Sequence, residues 1–146
     1  MIAPLIRISK PIIAWLDWAS PALDLVIRLW LAEIFFKSGL TKIASWDTTL
    51  ALFDGEYQVP LLPPTLAAYL GTGVELIFPV LLALGLATRF SSLTLFVFNW
   101  IAVISYPDLS EVGFKDHLYW GLLLLVPLLN GPGKVSLDFL IARKVA

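Results

Sequence analysis

The 146-residue sequence contains no cysteine, one histidine and one methionine. Without cysteine, the chain by itself cannot form a disulfide relay, an iron–sulfur cluster or a thiolate zinc site. A single histidine also excludes bis-histidine haem ligation within one subunit. We therefore expect no haem, iron–sulfur cluster or metal here, and any redox role requires a diffusible cofactor or a partner protein to carry the electrons.

Charged residues are also scarce. They make up 14% of the chain, whereas 59% of the residues are hydrophobic. Soluble domains average about 25% charged and about 45–50% apolar residues. This composition and the mean hydropathy of +0.87 are typical of a membrane protein, for which lipids are the first partners. No basic surface suited to nucleic acid is present.

Four hydrophobic stretches are each long enough to cross a bilayer, which takes about 17–25 residues. They comprise residues 23–43, 65–87, 90–106 and 112–130. The sequence predicts one all-α domain over residues 1–146, a polytopic four-transmembrane-helix bundle. Short interfacial helices are expected at the N-terminus (Pro4–Trp18, broken by Pro11), in the first external loop (around Trp46–Phe53) and at the C-terminus (Leu137–Lys144). Ser20 and Pro21 have the pattern of an N-cap and first residue of the first span.

Positive charge is distributed unevenly between the two sides of the predicted bundle. The tails and the turn between the second and third spans carry Arg7, Lys10, Arg89, Lys134, Arg143 and Lys144. On the other side, Lys42 and Lys115 stand among acidic residues: Asp47, Asp54, Glu56, Asp108, Glu111 and Asp116. Since lysine and arginine are retained in the cytoplasm, the pattern predicts a bacterial inner-membrane protein with both termini cytoplasmic.

Two glutamates fall near the middle of predicted spans, where an ionised carboxylate costs at least ~2.5 kcal/mol. A helical rise of ~1.5 Å per residue places Glu33 and Glu75 roughly 15 Å below the outer surface. Lys37 and Asn99 lie roughly 10 Å deep and His117 lies near the outer rim. We therefore expect both glutamates to face inward, toward one polar cavity in the outer half of the bundle.

Each of these deep residues also has a structural interpretation. Glu33 and Lys37, at positions i and i+4, can neutralise each other instead of lining a cavity. Glu75 has no cation on its own helix, so either Lys37 or Arg28 reaches it or it holds a proton. Asn99 can make an interhelical hydrogen bond instead of contacting a ligand.

The residues nearer the membrane surfaces leave similar alternatives open. Arg28 lies near the inner end, where its guanidinium can extend to the headgroups. Arg89 can act simply as an orientation signal. His117 can be a solvated interfacial residue, but its ordinary pKa near neutrality also suits proton exchange with a quinone.

The combined pattern resembles the DoxX family of small bacterial membrane proteins. The matching residues extend over about 23–140, in the segments Arg28–Ile43, Val59–Pro60, Val74–Leu76, Leu84–Arg89 and Gly131–Asp138. Its most specific elements are an Arg…Phe-x-x-x-Gly-x-x-Lys run and a terminal Gly-Pro-Gly-x-x-Ser-Leu-Asp sequence. The resemblance implies a four-helix membrane bundle, sometimes associated with thiosulfate:quinone oxidoreductase or terminal quinol oxidase assemblies. It marks Arg28, Lys42, Glu75 and Arg89 as family-pattern residues.

Three functions remain open at this point. The leading one is an accessory or quinone-associated subunit of a respiratory-type redox assembly, with a quinone as a bound but not intrinsic cofactor. The second is a structural scaffold that docks another membrane protein or a second copy of itself. The third is a small proton or solute transporter, although the sequence contains no inverted repeat. Whether the chain is an enzyme stays open; we expect that it does not act as an autonomous redox enzyme, because the sequence has no intrinsic ligands for a redox cofactor.

Overall fold

A computed structural model describes the backbone of residues 2–145 and the side chains of residues 10, 11 and 13–145. Over residues 2–145 it contains six helices and no strand, which confirms the all-α prediction. The helices are α1 (Ile2–Ala44), α2 (Trp46–Gly55), α3 (Pro64–Leu84), α4 (Thr88–Ser105), α5 (Glu111–Asn130) and α6 (Leu137–Val145). The long helices form a bundle in which α1 packs on α3 and α5, and α4 packs on α3 and α5.

Among the described residues, three helices, α3, α4 and α5, are long and apolar enough to cross a membrane. Their bounds agree closely with the predicted second, third and fourth spans. The matching part of α1 carries Asp24, Arg28, Glu33 and Lys37, so its composition alone does not mark it as a span. Crossing by α1 stays a prediction.

The helix boundaries that the sequence predicts before the first span are absent. No break occurs at Pro11 or at Ser20-Pro21, since both prolines lie inside the single helix α1. A proline removes one hydrogen bond, but the bonds of the turns on either side can carry the helix through. The side chains of residues 2–9, which include Arg7, and of Ile12 lie outside the described residues. From Lys10 to Trp18 the described side chains are all exposed.

The predicted surface helices α2 and α6 are both present. Ser136 caps α6 as expected, because its Oγ accepts a hydrogen bond from the Phe139 N–H at 3.1 Å. The turn between α3 and α4 passes through Gly85 at φ +66°, a left-handed conformation that costs glycine little. We call the end of the bundle that holds this turn and α6 the Gly85 end, and the opposite end the α2 end.

The core divides into two parts. Leu31, Phe35, Leu82, Leu95 and Leu124 are buried between the long helices. At the α2 end, α2 packs its aromatic face over the start of α3, against two buried alanines. A cavity lined largely by residues of α3 and α4 lies next to the cluster at the α2 end. This cavity is the candidate site.

Candidate functional site

A cavity of about 550 Å³ lies at the α2 end of the bundle, the end at which the sequence predicts one. All five helices α1 to α5 and the loop after α2 contribute to its wall, which is mainly apolar. The polar side chains in the wall are Ser38, Lys42, Tyr57, Glu75, Thr94, Ser105, Tyr106 and His117. A mainly apolar cavity with a few gathered polar groups is the usual form of a small-molecule site.

An ion pair between α1 and α3 forms the charged part of the wall. The Lys42 Nζ lies 2.6 Å from the Glu75 Oε2, and 18% and 6% of these side chains are exposed. Lys42 also donates to the Ser38 Oγ at 3.1 Å. Neither Lys37 nor Arg28, the two cations that the sequence suggested as partners, reaches Glu75.

Helix direction explains why Lys42 is the partner. Side chains lean toward the N-terminus of their own helix, and α1 and α3 run in opposite directions. Lys42, near the end of α1, therefore leans down into the bundle while Glu75 leans up to meet it. Gly39 lets the two helices approach closely, because a Cβ there would lie only 3.1 Å from the Glu75 carbonyl carbon.

The cavity opens sideways between α3 and α4. Leu70 of α3 and Val97 and Ile101 of α4 belong to its wall, yet 51%, 48% and 37% of their surfaces are exposed. These residues lie on the part of the bundle surface that acyl chains cover if α3 and α4 cross a bilayer. In that case acyl chains lie against the apolar side of the cavity.

Hydroxyl groups gather where the loop after α2 meets the end of α4. The Gln58 N–H donates to the Ser105 carbonyl at 2.7 Å, which holds this loop against α4. The Ser105 Oγ is buried and has no hydrogen-bond partner among the described residues. The rings of Tyr57 and Tyr106 pack edge to face with centroids 5.3 Å apart. Burial raises the pKa of Tyr57, and nearby Tyr106, Glu56 and Glu75 add to the rise, so its hydroxyl stays a donor at neutral pH.

Asn99 and His117 join α4 to α5 beside the cavity. The Asn99 Nδ2 donates to the His117 carbonyl at 2.9 Å, and its Oδ1 lies 2.8 Å from the His117 Nδ1. Asn99 is fully buried, whereas His117 contributes to the cavity wall. The histidine is thus oriented by the asparagine rather than solvated freely at the rim. Among the described residues, no group of three or more His, Asp or Glu side chains is arranged to hold a metal ion.

Glu33 and Lys37 lie outside the cavity. They form an i, i+4 ion pair of 2.6 Å on the outer face of α1, with 57% and 71% of their side chains exposed. The prediction that Glu33 faces inward together with Glu75 is therefore wrong. The inner face of α1 is taken by Arg28, Leu31 and Phe35, and Glu33 falls on the opposite side of the helix.

Arg28 and Arg89 lie at the Gly85 end, far from the cavity. Arg28 is 1% exposed and does not extend to a membrane surface. Its guanidinium donates to the Leu82 carbonyl at 3.2 Å and also to the Val135 carbonyl. It thereby ties α1 to the end of α3 and to the segment before α6. Arg89 donates to the Leu129 carbonyl at 3.3 Å, across to α5.

Asp138 completes the Gly85 end by capping α4 from another part of the chain. Its carboxylate accepts hydrogen bonds from the Ala87 N–H and the Thr88 N–H, both at 2.8 Å, and from the Thr88 Oγ1 at 2.9 Å. Partial burial alone would raise the pKa of Asp138, but the Thr88 and Ala87 hydrogen bonds and the Arg28 charge hold it below its usual value of 3.8. The terminal Gly-Pro-Gly-x-x-Ser-Leu-Asp sequence therefore has a structural role here.

Of the eight candidate residues, only Lys42, Glu75 and His117 line the cavity, and Asn99 lies directly behind His117. Sequence reasoning missed Tyr57 and Ser105 as wall residues. A serine at the end of an apolar helix resembles an ordinary cap, so nothing in its position points to a ligand. The aromatic residues around Gly55 were the one available signal, because they are unusual in a solvated loop.

Comparison with family models identifies the family. The family model described as DoxX matches residues 23–107. The chain is also 35% identical over 128 residues to an uncharacterized protein of Haemophilus influenzae, covering 82% of this chain and 83% of that protein. No solved structure matches the chain.

Proposed function

Because this chain belongs to the DoxX family of membrane proteins, we propose that it binds a lipid-soluble quinone in the cavity at the α2 end and serves as an accessory subunit of a bacterial inner-membrane redox assembly. The observation that carries the proposal is the form of the cavity. Its apolar side opens between α3 and α4, and its polar groups gather at the far end around Lys42 and Glu75.

A quinone fits both parts of this cavity. The ring system has apolar faces that can pack on Phe53 and Phe98, which both line the wall. Each ring carbonyl needs a donor, and the Lys42 ammonium and the Tyr57 hydroxyl are donors in the wall. The volume of about 550 Å³ is within the range of ~300–1,000 Å³ that is usual for small-molecule sites.

Protons for quinone reduction come from groups that titrate, and Glu75 and His117 are the two in the wall that suit this task. The electrons must come from a partner, because the sequence contains no cysteine and a single histidine. In this proposal the protein binds and positions the quinone and exchanges protons with it, while another protein of the assembly supplies the electrons.

In this proposal residues 23–43 of α1 cross the membrane together with α3, α4 and α5, which gives four spans in total. Both termini then lie in the cytoplasm. Its support is the packing of α1 along α3, and the pairing of two of its charges, on Arg28 and Lys42, inside the bundle. The natural chain has no cysteine, so single-cysteine labelling tests the orientation directly. Asp108→Cys should react with an impermeant maleimide in intact cells, and Lys134→Cys only after lysis; the reverse result contradicts the orientation.

The binding site is tested by measuring the quinone that co-purifies with the protein. Protein extracted in mild detergent should retain quinone above the detergent blank, as measured by lipid extraction and chromatography. Gly71→Leu should abolish this retention, since the new side chain would extend toward Phe53 and Phe98, which lie 3.6 and 3.5 Å from a Cβ at this position. Gly73→Leu is the matched control, because a Cβ there meets nothing within 4 Å.

A second pair of variants tests the polar end. Glu75→Gln should lower quinone retention at least about tenfold. Glu111→Gln, which removes an exposed carboxylate at the start of α5, should leave it unchanged. Wild-type protein with no quinone above the blank, or equal retention in Gly71→Leu and Gly73→Leu, would remove the proposal.

A further inference from the structure

The ion pair of Glu33 and Lys37 is in an unusual place. Asp24 lies at the Gly85 end, beside Gly133, and Ala44 ends α1 at the other side of the bundle. By helical rise, Glu33 is about 14 Å from Asp24 and Lys37 about 10 Å from Ala44. Both side chains point outward at this depth, with 57% and 71% of their surfaces exposed.

A similar pair on α5 shows why depth matters. Glu111 and Lys115 also form an exposed i, i+4 pair, with an Nζ to Oε1 distance of 2.7 Å. That pair occupies the first turns of α5, where water at the membrane surface can solvate it. The pair on α1 lies about two helical turns from either end of the bundle. Charges at such a depth in lipid-crossing helices are costly and are usually turned toward a polar partner.

The exposed face of α1 has the spacing of a helix–helix seam. Its residues recur at alternating intervals of four and three, the heptad pattern of two parallel helices that pack side by side. They are Val26, Trp30, Glu33, Lys37, Leu40 and Ala44. All are exposed; the values for Val26, Trp30 and Leu40 are 60%, 46% and 42%. Apolar residues therefore flank a charged centre on both sides along the helix.

We propose that this face, the α1 seam, is the contact surface for a second copy of the same chain. Two copies in one membrane have the same orientation, so a two-fold axis along the membrane normal brings their α1 helices together in parallel. Such an interface pairs residue i of one copy with residue j of the other and j with i. With Glu33 as i and Lys37 as j, each carboxylate acquires a second lysine and each lysine a second carboxylate.

The charge pattern explains why the partner is a second copy. In a parallel pair the two Glu33 side chains lie at one level and the two Lys37 side chains one turn further on, so the seam is complementary to itself because the four charges cancel. A polar pair within an apolar seam also fixes the register of two parallel helices. Pairing also removes the ion pair from lipid, and Trp30 beside it supplies a large apolar contact of the kind that often dominates binding energy at interfaces. The quinone cavity plays no part in this argument, because none of the seam residues lines its wall.

Cysteine crosslinking of the full-length chain in native membranes tests the proposal. Since the natural sequence has no cysteine, each variant carries a single reporter. Val26→Cys and Leu40→Cys, on the α1 seam, should form disulfide-linked dimers under mild oxidation. Ile77→Cys on α3 and Leu122→Cys on α5 are matched controls, since 58% and 55% of these side chains are exposed. Equal crosslinking at all four positions, or crosslinking of the seam only to another protein, would overturn the proposal.

Charge substitutions supply an independent measurement, by energy transfer between labelled copies diluted into lipid vesicles. Glu33→Lys gathers four lysines at the seam and should weaken dimerisation at least about tenfold. The exchange Glu33→Lys/Lys37→Glu should restore it, because the exchanged pattern is again self-complementary. Glu111→Lys, at the start of α5, should have no effect. A Glu33→Lys protein that dimerises like the wild type would overturn the proposal, and the cysteine variants keep it testable if that protein fails to insert.

Discussion

The two ends of the bundle use their charged residues in different ways. At the Gly85 end, Arg28 and Asp138 bind backbone groups of neighbouring segments, so each charge holds two or more parts of the chain together. At the α2 end, Lys42 and Glu75 bind each other beside a cavity, and the Ser105 hydroxyl has no partner among the described residues. The charged residues at the Gly85 end therefore stabilise the fold, whereas those at the α2 end line a cavity.

This difference explains why a family pattern need not mark an active site. Arg28, Arg89 and Asp138 belong to the segments that carry the resemblance, and in the structure each of them ties helix ends together. Lys42 and Glu75 belong to the same segments and line the cavity. Variants at the Gly85 end should therefore lose stability and keep their ligand, whereas variants at the α2 end should lose the ligand first.

The largest loss of stability is expected from Gly85→Val. The left-handed φ of +66° strains any side chain, and a Cβ would overlap the Arg28 guanidinium and Ser136. Backbone strain of ~1–3 kcal/mol, with the loss of a buried charged hydrogen bond, adds to about 4 kcal/mol. We expect little folded protein in detergent, measured by size-exclusion chromatography and thermal melting. A Gly85→Val protein as stable as Gly73→Val would contradict the role of this turn.

Breaking the Lys42–Glu75 ion pair at the α2 end should lower the stability less than Gly85→Val does, but more than most single substitutions do. Lys42→Met leaves Glu75 without its cation, for which about 3 kcal/mol is expected. The double variant Lys42→Met/Glu75→Met should be more stable than the single one, because no uncompensated carboxylate remains. Melting temperatures of both proteins provide the measurement. A double variant that is the less stable of the two would show that the pair stabilises the fold rather than equipping the cavity.

Asp138→Asn should lower the stability by about 1–2 kcal/mol at neutral pH, because an amide replaces a carboxylate that caps α4. The depressed pKa of Asp138 also fixes the direction of a pH effect. Its contribution is complete above the pKa of the unfolded chain, near 3.8, and is lost as the pH falls through the lower folded-state value. The stability difference between wild type and variant should thus shrink below about pH 4. A constant difference across this range would argue against the carboxylate as the cause.

The smallest effect is expected from Asn99→Leu. It removes two hydrogen bonds between α4 and α5, and such bonds between membrane helices contribute about 0.6 kcal/mol on average and at most about 1.7. Because Asn99 orients His117, quinone retention should respond more strongly than the melting temperature. Asn99 either orients His117 for the quinone or only joins α4 to α5, and the pH profile of quinone binding distinguishes these two roles. A profile unchanged from wild type would mean that Asn99 joins the helices and does nothing more.

The sequence predicted most of the fold because hydrophobic length is a local property. The bounds of α3, α4 and α5 lie within a few residues of the predicted spans, and α2 and α6 lie where their apolar spacing and caps place them. The start of α1 was predicted wrongly, because Pro11 and Pro21 have the pattern of helix boundaries and yet lie inside one continuous helix. Proline weakens a helix locally, but the turns around it decide whether the helix continues.

The candidate site was predicted only in part, for a different reason. Spans that are apolar on nearly every side give no periodic signal for which face turns inward. Glu33 and Glu75 therefore looked alike, although one is exposed and the other is buried. The partner of Glu75 could not be read from sequence distance either, because Lys42 and Glu75 meet only once α1 and α3 lie antiparallel.

By itself, the sequence determined that this is a helical membrane protein with no cysteine and a single histidine, since composition and apolar length depend on no contact between distant residues. The tertiary structure alone decided which charges meet. It paired Lys42 with Glu75 beside a cavity, buried Arg28 among backbone carbonyls and left Glu33 and Lys37 on the outer face of α1. The rotation of each helix about its axis settles these outcomes, and packing against neighbouring helices fixes that rotation.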